Sequence, residues 1–326
     1  MIGIFGAGVV GSRVAESLSV ESQTPIVVFD SSQIVAQRLV RRLSETNSLI
    51  KSGSRSELHS AKVVVVAGPL PHAPVAKEFL ENGVSVVSTS DDISDCLNLL
   101  SLSDLATENN VTSIIGAASS PGMSGLLVRN LSKEFDLVDE VHIALHGTGG
   151  PACARQHHRA LSGQSMGWHD GEWLRRPAGS GRELCWFPEP VGAYDCYRGE
   201  LPDPLLIKRA FPELVRVTAR VSATRRDRVF SRMPMLIPPR AEGGMGGLRV
   251  EVRGTKNDER VVDVVGVAER VGQVAGVVSG CVARSISIGE ISQPGAFVLG
   301  ELSLPNEVLL SRVLACGVQA HSFVRA

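Results

Sequence analysis

The sequence predicts an α/β fold in which a doubly wound parallel sheet is followed by an α+β domain with a mixed or antiparallel sheet. Three observations predict it. Short apolar runs alternate with segments of helical period through the first 116 residues. A glycine-rich turn joins the first run to the first helical segment. Far downstream, two alternating runs flank the polar turn KNDE, as in an antiparallel hairpin.

The first run, IGIF (2–5), reads as a short buried strand, GAGVVG (6–11) as a glycine turn, and VVGSRVAESL as a helix start. A dinucleotide site requires this order. Gly6 permits a tight turn, Gly8 lets the backbone approach a pyrophosphate, and Gly11 lets helix and strand pack closely. The N–H groups around Ala7, Val9 and Val10 are then left to face the anion. PIVVFD (25–30) is a second buried strand ending in Asp30, about 20 residues beyond the glycines, where a carboxylate accepts both ribose hydroxyls. A 2'-phosphate would be repelled there, and Ser31 and Ser32 follow rather than an arginine, so NAD(H) is the favoured cofactor. Arg38, Arg41 and Arg42, one or more helical turns further on, leave NADP(H) as the alternative.

The alternation continues with a helix over 31–45, a strand over 62–68, a helix over 73–82, a strand over 84–89, a helix over 93–109 and a strand over 111–116. This is the pattern of a Rossmann-type sheet. Gly68 and Pro69 follow one strand and Thr89 ends another, which puts all three at the carboxyl edge where such sheets bind ligands. A Ser-Pro-Gly turn then starts an amphipathic helix, and the domain boundary falls near Pro121. Beyond it come strands over 141–147 and 215–223, the hairpin over 248–268, and a small-residue-rich helix over 269–287. That helix suits burial between domains, being too broken by glycine and too polar for a bilayer.

Composition narrows the function classes. At 43% hydrophobic residues the chain can fill two cores, and a net charge of -1 gives no field that recruits nucleic acid or an anionic membrane. Six cysteines without C-x-x-C spacing read as reduced thiols, which favours a cytoplasmic location. A homodimer is the default expectation for the assembly.

The stretch GTGGPACARQHHRAL (147–161) admits several readings. It lacks the GK[ST] ending of a phosphate loop, and its proline removes a donor. A metal site would draw on Cys153 and His157, four apart on one helical face, with His158, Cys185 or Cys196; zinc ligands usually come as tighter pairs, so no metal is expected. As the rim of a substrate pocket, Pro151 starts a helix that carries Arg155, His158 and Arg159 on neighbouring turns, with His157 rotated by about 100° from His158. One histidine would then exchange the proton that accompanies hydride transfer, and an arginine would fork a substrate carboxylate. The bland alternative is a helix start with solvated basic residues.

All three tryptophans and both tyrosines fall between Trp168 and Tyr197, and Asp195, Tyr197 and Arg198 form a second candidate for substrate contact. From Arg216 to Arg240 seven arginines face one acid, Asp227; TRRDR follows a strand and would place Arg226 in a loop toward the cleft, where it suits an acidic substrate.

GAGVVG with Asp30, the AGP after a buried strand, SPGMS at the crossover, RVEVRG in the hairpin and the closing PGAFVLGELSLPNEVLLSRVLACGV together resemble the saccharopine dehydrogenase-like oxidoreductases. The resemblance implies a dinucleotide domain over 1–120, a substrate and dimerisation domain over 121–290, and a segment over 291–326 returning to the first domain. It also implies hydride exchange between a nicotinamide and a carbon bearing nitrogen in a small acidic substrate. A dinucleotide-binding sensor without turnover is the alternative.

Overall fold

The structure is a computed structural model that describes residues 1–21, 24–235 and 239–323. Its first part alternates β1 (Ile2–Phe5), α1 (Val9–Glu21), β2 (Ile26–Phe29), α2 (Gln33–Leu43), β3 (Ile50–Ser52), β4 (Val63–Val66), α3 (Ala73–Glu81), β5 (Ser85–Ser88), α4 (Ile93–Leu100), α5 (Ser103–Glu108) and β6 (Thr112–Ile115). The chain continues through α6 (Met123–Ser132), β7 (Leu137–His146), α7 (Pro151–Ala160), β8 (Gln164–His169), β9 (Glu172–Pro177), β10 (Glu183–Phe187), β11 (Gly192–Arg198), α8 (Asp203–Ala210), β12 (Arg216–Ser222) and α9 (Arg225–Phe230). It closes with β13 (Met245–Lys256), β14 (Glu259–Arg270), α10 (Val271–Ile288), β15 (Gly295–Val298), α11 (Asn306–Ala315) and β16 (Ala320–Ser322).

Seven strands form a parallel sheet in the order β15-β6-β5-β4-β1-β2-β3. Helices cover both faces, so a central strand such as β4, VVVV, is buried at every position and reads as a continuous apolar run. The order reverses between β1 and β4, which opens a crevice at their carboxyl ends. The second sheet is mixed: β7 pairs parallel with β12 and antiparallel with β13, and β13 with β14 makes the long hairpin. Its turn residues Asn257 and Asp258 both have positive φ, as a two-residue hairpin loop demands.

From the closing segment, β15 extends the first sheet beside β6, while β16 pairs with β14 in the second. Helix α10 packs on α1 and on β4 and β5. Its small residues allow this approach: a Cβ at Gly276 would lie 2.3 Å from that of Arg13. Among the described residues α10 is the helix long and apolar enough to span a bilayer, and 72% of that span is buried inside the protein.

The expected helix over 93–109 is two helices. Ser101 Oγ turns back onto the Asn98 carbonyl at 2.7 Å, while Ser103 Oγ accepts from the Ala296 N–H at 3.2 Å, and the two hydroxyls bracket the break. TRRDR is not a loop but the start of α9, where Thr224 and Asp227 form a reciprocal capping box.

Candidate active site

The glycine turn leaves β1 at Gly6, whose φ of +102° and contact with Gly68 leave no room for a side chain. At Gly11 a Cβ would sit 1.8 Å from the Gly6 carbonyl oxygen, so the helix start can approach the strand only as glycine. A Cβ at Gly8 would meet nothing within 4 Å, because that position faces open space. Open space at a helix N-terminus, where the backbone N–H groups can be approached, is what a pyrophosphate needs. Asp30 Oδ2 accepts the Ala7 N–H at 2.8 Å and Oδ1 accepts the Ser32 N–H at 2.8 Å. Two of the carboxylate's roughly four acceptor positions are thus used, one tying β2 to the glycine turn and one in the loop after β2, and the others remain for ribose hydroxyls.

This turn forms one wall of a cavity of about 570 Å³ in the crevice between the two sheets. Gly6, Gly8, Val9, Val10, Asp30, Ser31, Gly68, Pro69 and Thr89 all line it, as do Ser119 and Ser120 at the crossover. The opposite wall is His146, Gly147, Gly149 and the inner face of α7, from Pro151 through Cys153 and Arg155 to His157 and Arg159. Ala7 and Gly11 contribute behind the surface, through the Asp30 hydrogen bond and the close packing at the turn.

Three donor groups converge in the wall beside α7. Cys153 Sγ lies 3.7 Å from His157 Nε2, and that nitrogen lies 3.9 Å from Asp91 Oδ2. Burial pushes the Asp91 carboxyl and the Cys153 thiol up and the His157 imidazole down, each toward its neutral form. Asp91 is held in place from both sides: its neighbour Asp92 caps α4 at the Asp95 N–H and accepts from Gln156 Nε2 of α7 at 2.8 Å. His72 anchors the loop after β4, its Nδ1 against Ser88 Oγ at 3.0 Å and its Nε2 donating to the Gly68 carbonyl at 2.9 Å.

Two further polar groups complete the cavity. His146 stacks on Tyr194 at 3.8 Å between ring centroids and meets Ser222 Oγ through Nδ1 at 2.9 Å; burial lowers its pKa. Ser120 Oγ donates to Asp203, which also receives Ser124 Oγ at 2.8 Å. Complete burial raises the Asp203 carboxyl to about 6 against the pull of those two hydroxyls.

No family model and no curated protein matches the sequence. Among solved structures, saccharopine dehydrogenase (L-Glu forming) from Saccharomyces cerevisiae superposes with a TM-score of 0.73 at 14% identity, over 99% of this chain and 99% of that one. The chain has a saccharopine dehydrogenase-like fold. C. glutamicum DAP dehydrogenase in complex with DAP follows at a TM-score of 0.55 and 14% identity, over 96% and 98% of the two chains. An engineered D-amino acid dehydrogenase bound to NADP+ gives 0.53 at 13% identity, over 96% and 98%. At these identities the likeness is one of fold.

Within this saccharopine dehydrogenase-like fold, the residues expected on the substrate side divide. His157 and Arg155 reach the cavity. His158 does not: helical rotation turns it to the far side of α7, where Nε2 meets the Met233 carbonyl at 2.9 Å. Arg226 does not either, since α9 carries it to an exposed position over the Phe230 ring. Two other arginines of that run are structural: Arg220 pairs with Glu183 at 2.6 Å, and Arg228 donates to the Gly179 carbonyl while lying over Tyr197. Asp195 pairs with Arg182 and Arg198 reaches Ser180, so the aromatic segment braces the second sheet. Sequence reasoning missed Asp91, His146, Ser120 and Asp203. Only Asp91 carried a local signal, as an acid just past a buried strand at the ligand-binding edge.

Proposed function

We propose that the protein is an NAD(P)-dependent oxidoreductase that exchanges hydride with a carbon bearing nitrogen in a small, carboxylate-containing amino-acid or imine substrate. One observation carries this reading: a single cavity joins the glycine turn and Asp30 to titratable groups and arginines on α7. The dinucleotide supplies the hydride chemistry when bound; the chain binds, orients and exchanges the proton.

Gly6, Gly8 and Gly11 with the N–H groups of Val9 and Val10 take the pyrophosphate, and Asp30 takes the ribose. NAD(H) is favoured because Asp30 would meet a 2'-phosphate and Arg42 is held by Glu16 at 2.5 Å. Arg155 and Arg159, a helical turn apart at the cavity wall, fit the carboxylate end of the substrate. A wall histidine, His146 or His157, fits the proton exchange.

Paired fluorescence titrations with NADH and NADPH test the reading, followed by absorbance screens of amino acids and of keto acids with amines. Saturable NADH binding with turnover of a carboxylate-bearing member is the expected result. Binding without turnover of any member points to the sensor alternative, and binding of neither dinucleotide removes the proposal.

A further inference from the structure

Asp91, Cys153 and His157 bring three metal-ligating side chains of different chemistry together in the cavity wall. Their donor atoms all lie within 4.8 Å of one another. Yet the 3.9 Å between His157 Nε2 and Asp91 Oδ2 is well beyond a hydrogen bond, and the 3.7 Å to the Cys153 sulfur is at best a weak one. The His157 side chain is 11% exposed, so its ring is buried beside the other two donors.

The separations suit a shared ion. Zinc bonds of about 2.3 Å to sulfur and about 2.0–2.2 Å to nitrogen and oxygen put tetrahedral donors roughly 3.4–3.6 Å apart, a few tenths of an ångström inside the two separations measured at His157 Nε2. Thiolate, imidazole and carboxylate are a borderline-soft donor mixture that selects zinc over magnesium or calcium. The two anionic donors balance a divalent charge, which offsets part of the cost of burying it.

The fold builds the set from two places. Cys153 and His157 stand four apart on one face of α7, and Asp91 arrives from the loop after β5, fixed to α7 through the Asp92–Gln156 hydrogen bond. That bond is a supporting contact of the kind that orients ligands. His72 commits both ring nitrogens elsewhere, and all three donors line the cavity, so the fourth position is left facing it.

We propose that Asp91, Cys153 and His157 form a three-ligand site for a divalent transition-metal ion, zinc by its donor set, with an open position toward the substrate. Three protein ligands and one open position is the arrangement of catalytic rather than structural zinc. An ion there polarises the substrate's carbon–nitrogen or carbon–oxygen double bond. His157 is then a ligand, and proton exchange falls to His146. The ion's role in turnover rests on the oxidoreductase reading, but its binding does not.

The test is cobalt titration of the full-length protein, freed of metal by chelator and kept reduced, followed by absorption. One equivalent should give intense visible bands of tetrahedral cobalt with a near-ultraviolet thiolate band, both displaced by zinc. Cys153→Ser should lose the thiolate band, and His157→Ala should lose stoichiometric binding. A wild-type spectrum without the thiolate band overturns the site whatever the variants do, as does a band that survives in folded Cys153→Ser, since five other cysteines are present. NADH titration of the same samples separates the two readings. Cobalt bound without NADH removes the oxidoreductase reading and keeps the ion site; NADH bound without cobalt does the reverse.

Discussion

Asp203→Asn is expected to make the protein more stable relative to wild type as pH rises. The Asp203 carboxyl is completely buried, Ser120 and Ser124 both donate to Oδ1, and Oδ2 has no hydrogen-bond partner among the described residues. Burial raises its pKa from an ordinary 3.8 to about 6. The folded state therefore holds this proton more tightly than the unfolded chain, so stability is lost as pH climbs between those two values and is level above them. A shift of about two units corresponds to about 3 kcal/mol at neutral pH. Roughly half is already incurred at pH 5, and the remainder, a little over 1 kcal/mol, appears by pH 8. Asparagine keeps the acceptor for the two serines but leaves an amide N–H without a partner, at a cost of about 1–3 kcal/mol that does not vary with pH. The informative quantity is hence the change in the gap between the two proteins, not the gap itself. Thermal unfolding followed by circular dichroism from pH 5 to 8 should show the Tm gap widening by at most roughly 2–4 °C in favour of asparagine. A gap flat across that range would show that Asp203 ionises normally in the folded protein, which requires water at Oδ2 and refutes the account of this corner as dry.

The cofactor wall and the substrate wall give separate expectations. Gly11→Ala forces a methyl against the Gly6 carbonyl oxygen and should lower stability by about 1–3 kcal/mol with loss of NADH binding, whereas unchanged Tm and affinity would mean the turn can open freely. Asp30→Ala should weaken NADH more than NADPH in fluorescence titration; equal losses would reduce Asp30 to its hydrogen bond with the Ala7 N–H. His146→Ala should cut turnover by about 10²-fold or more at unchanged NADH affinity, while His158→Ala, which alters only the contact with the Met233 carbonyl, should leave turnover intact. The reverse ranking would move the proton exchange out of this cavity.

The dinucleotide wall was legible because its signals are local. A glycine turn between a buried strand and a helix, and an acid at the end of the next strand, lie within the first 30 residues and fix one another's geometry. The substrate wall is assembled from β5, β6, β7 and α7, and no spacing in the sequence brings Asp91 beside Cys153 or Ser120 beside Asp203. The arginine run misled for a related reason. Arg220 and Arg228 do meet a carboxylate and a carbonyl, but those of β10 and a neighbouring turn in the same domain. The capping box at Thr224 and Asp227 was a local signal for α9, and it turns Arg226 away from the cleft.

Which of the two adjacent histidines faces the cavity is the instructive case. Helical geometry requires that only one does, but the rotation of α7 about its axis is set by what its start rests on. A Cβ at Gly150 would lie 2.8 Å from Val9 Cγ2, and one at Gly272, at the start of α10, would lie 2.8 Å from Val9 Cγ1. GTGGP is therefore a close-packing device. It seats the first turn of α7 directly on the dinucleotide turn, with α10 wedged alongside. Seated there, α7 presents Cys153 and His157 inward and His158 outward. A bulkier residue at Gly150 should accordingly tilt α7 and disturb the substrate wall while leaving Asp30 and its hydrogen bonds in place. Turnover would then fall before dinucleotide affinity does, and a Gly150→Ala variant that lost both together would show that the two walls are a single unit.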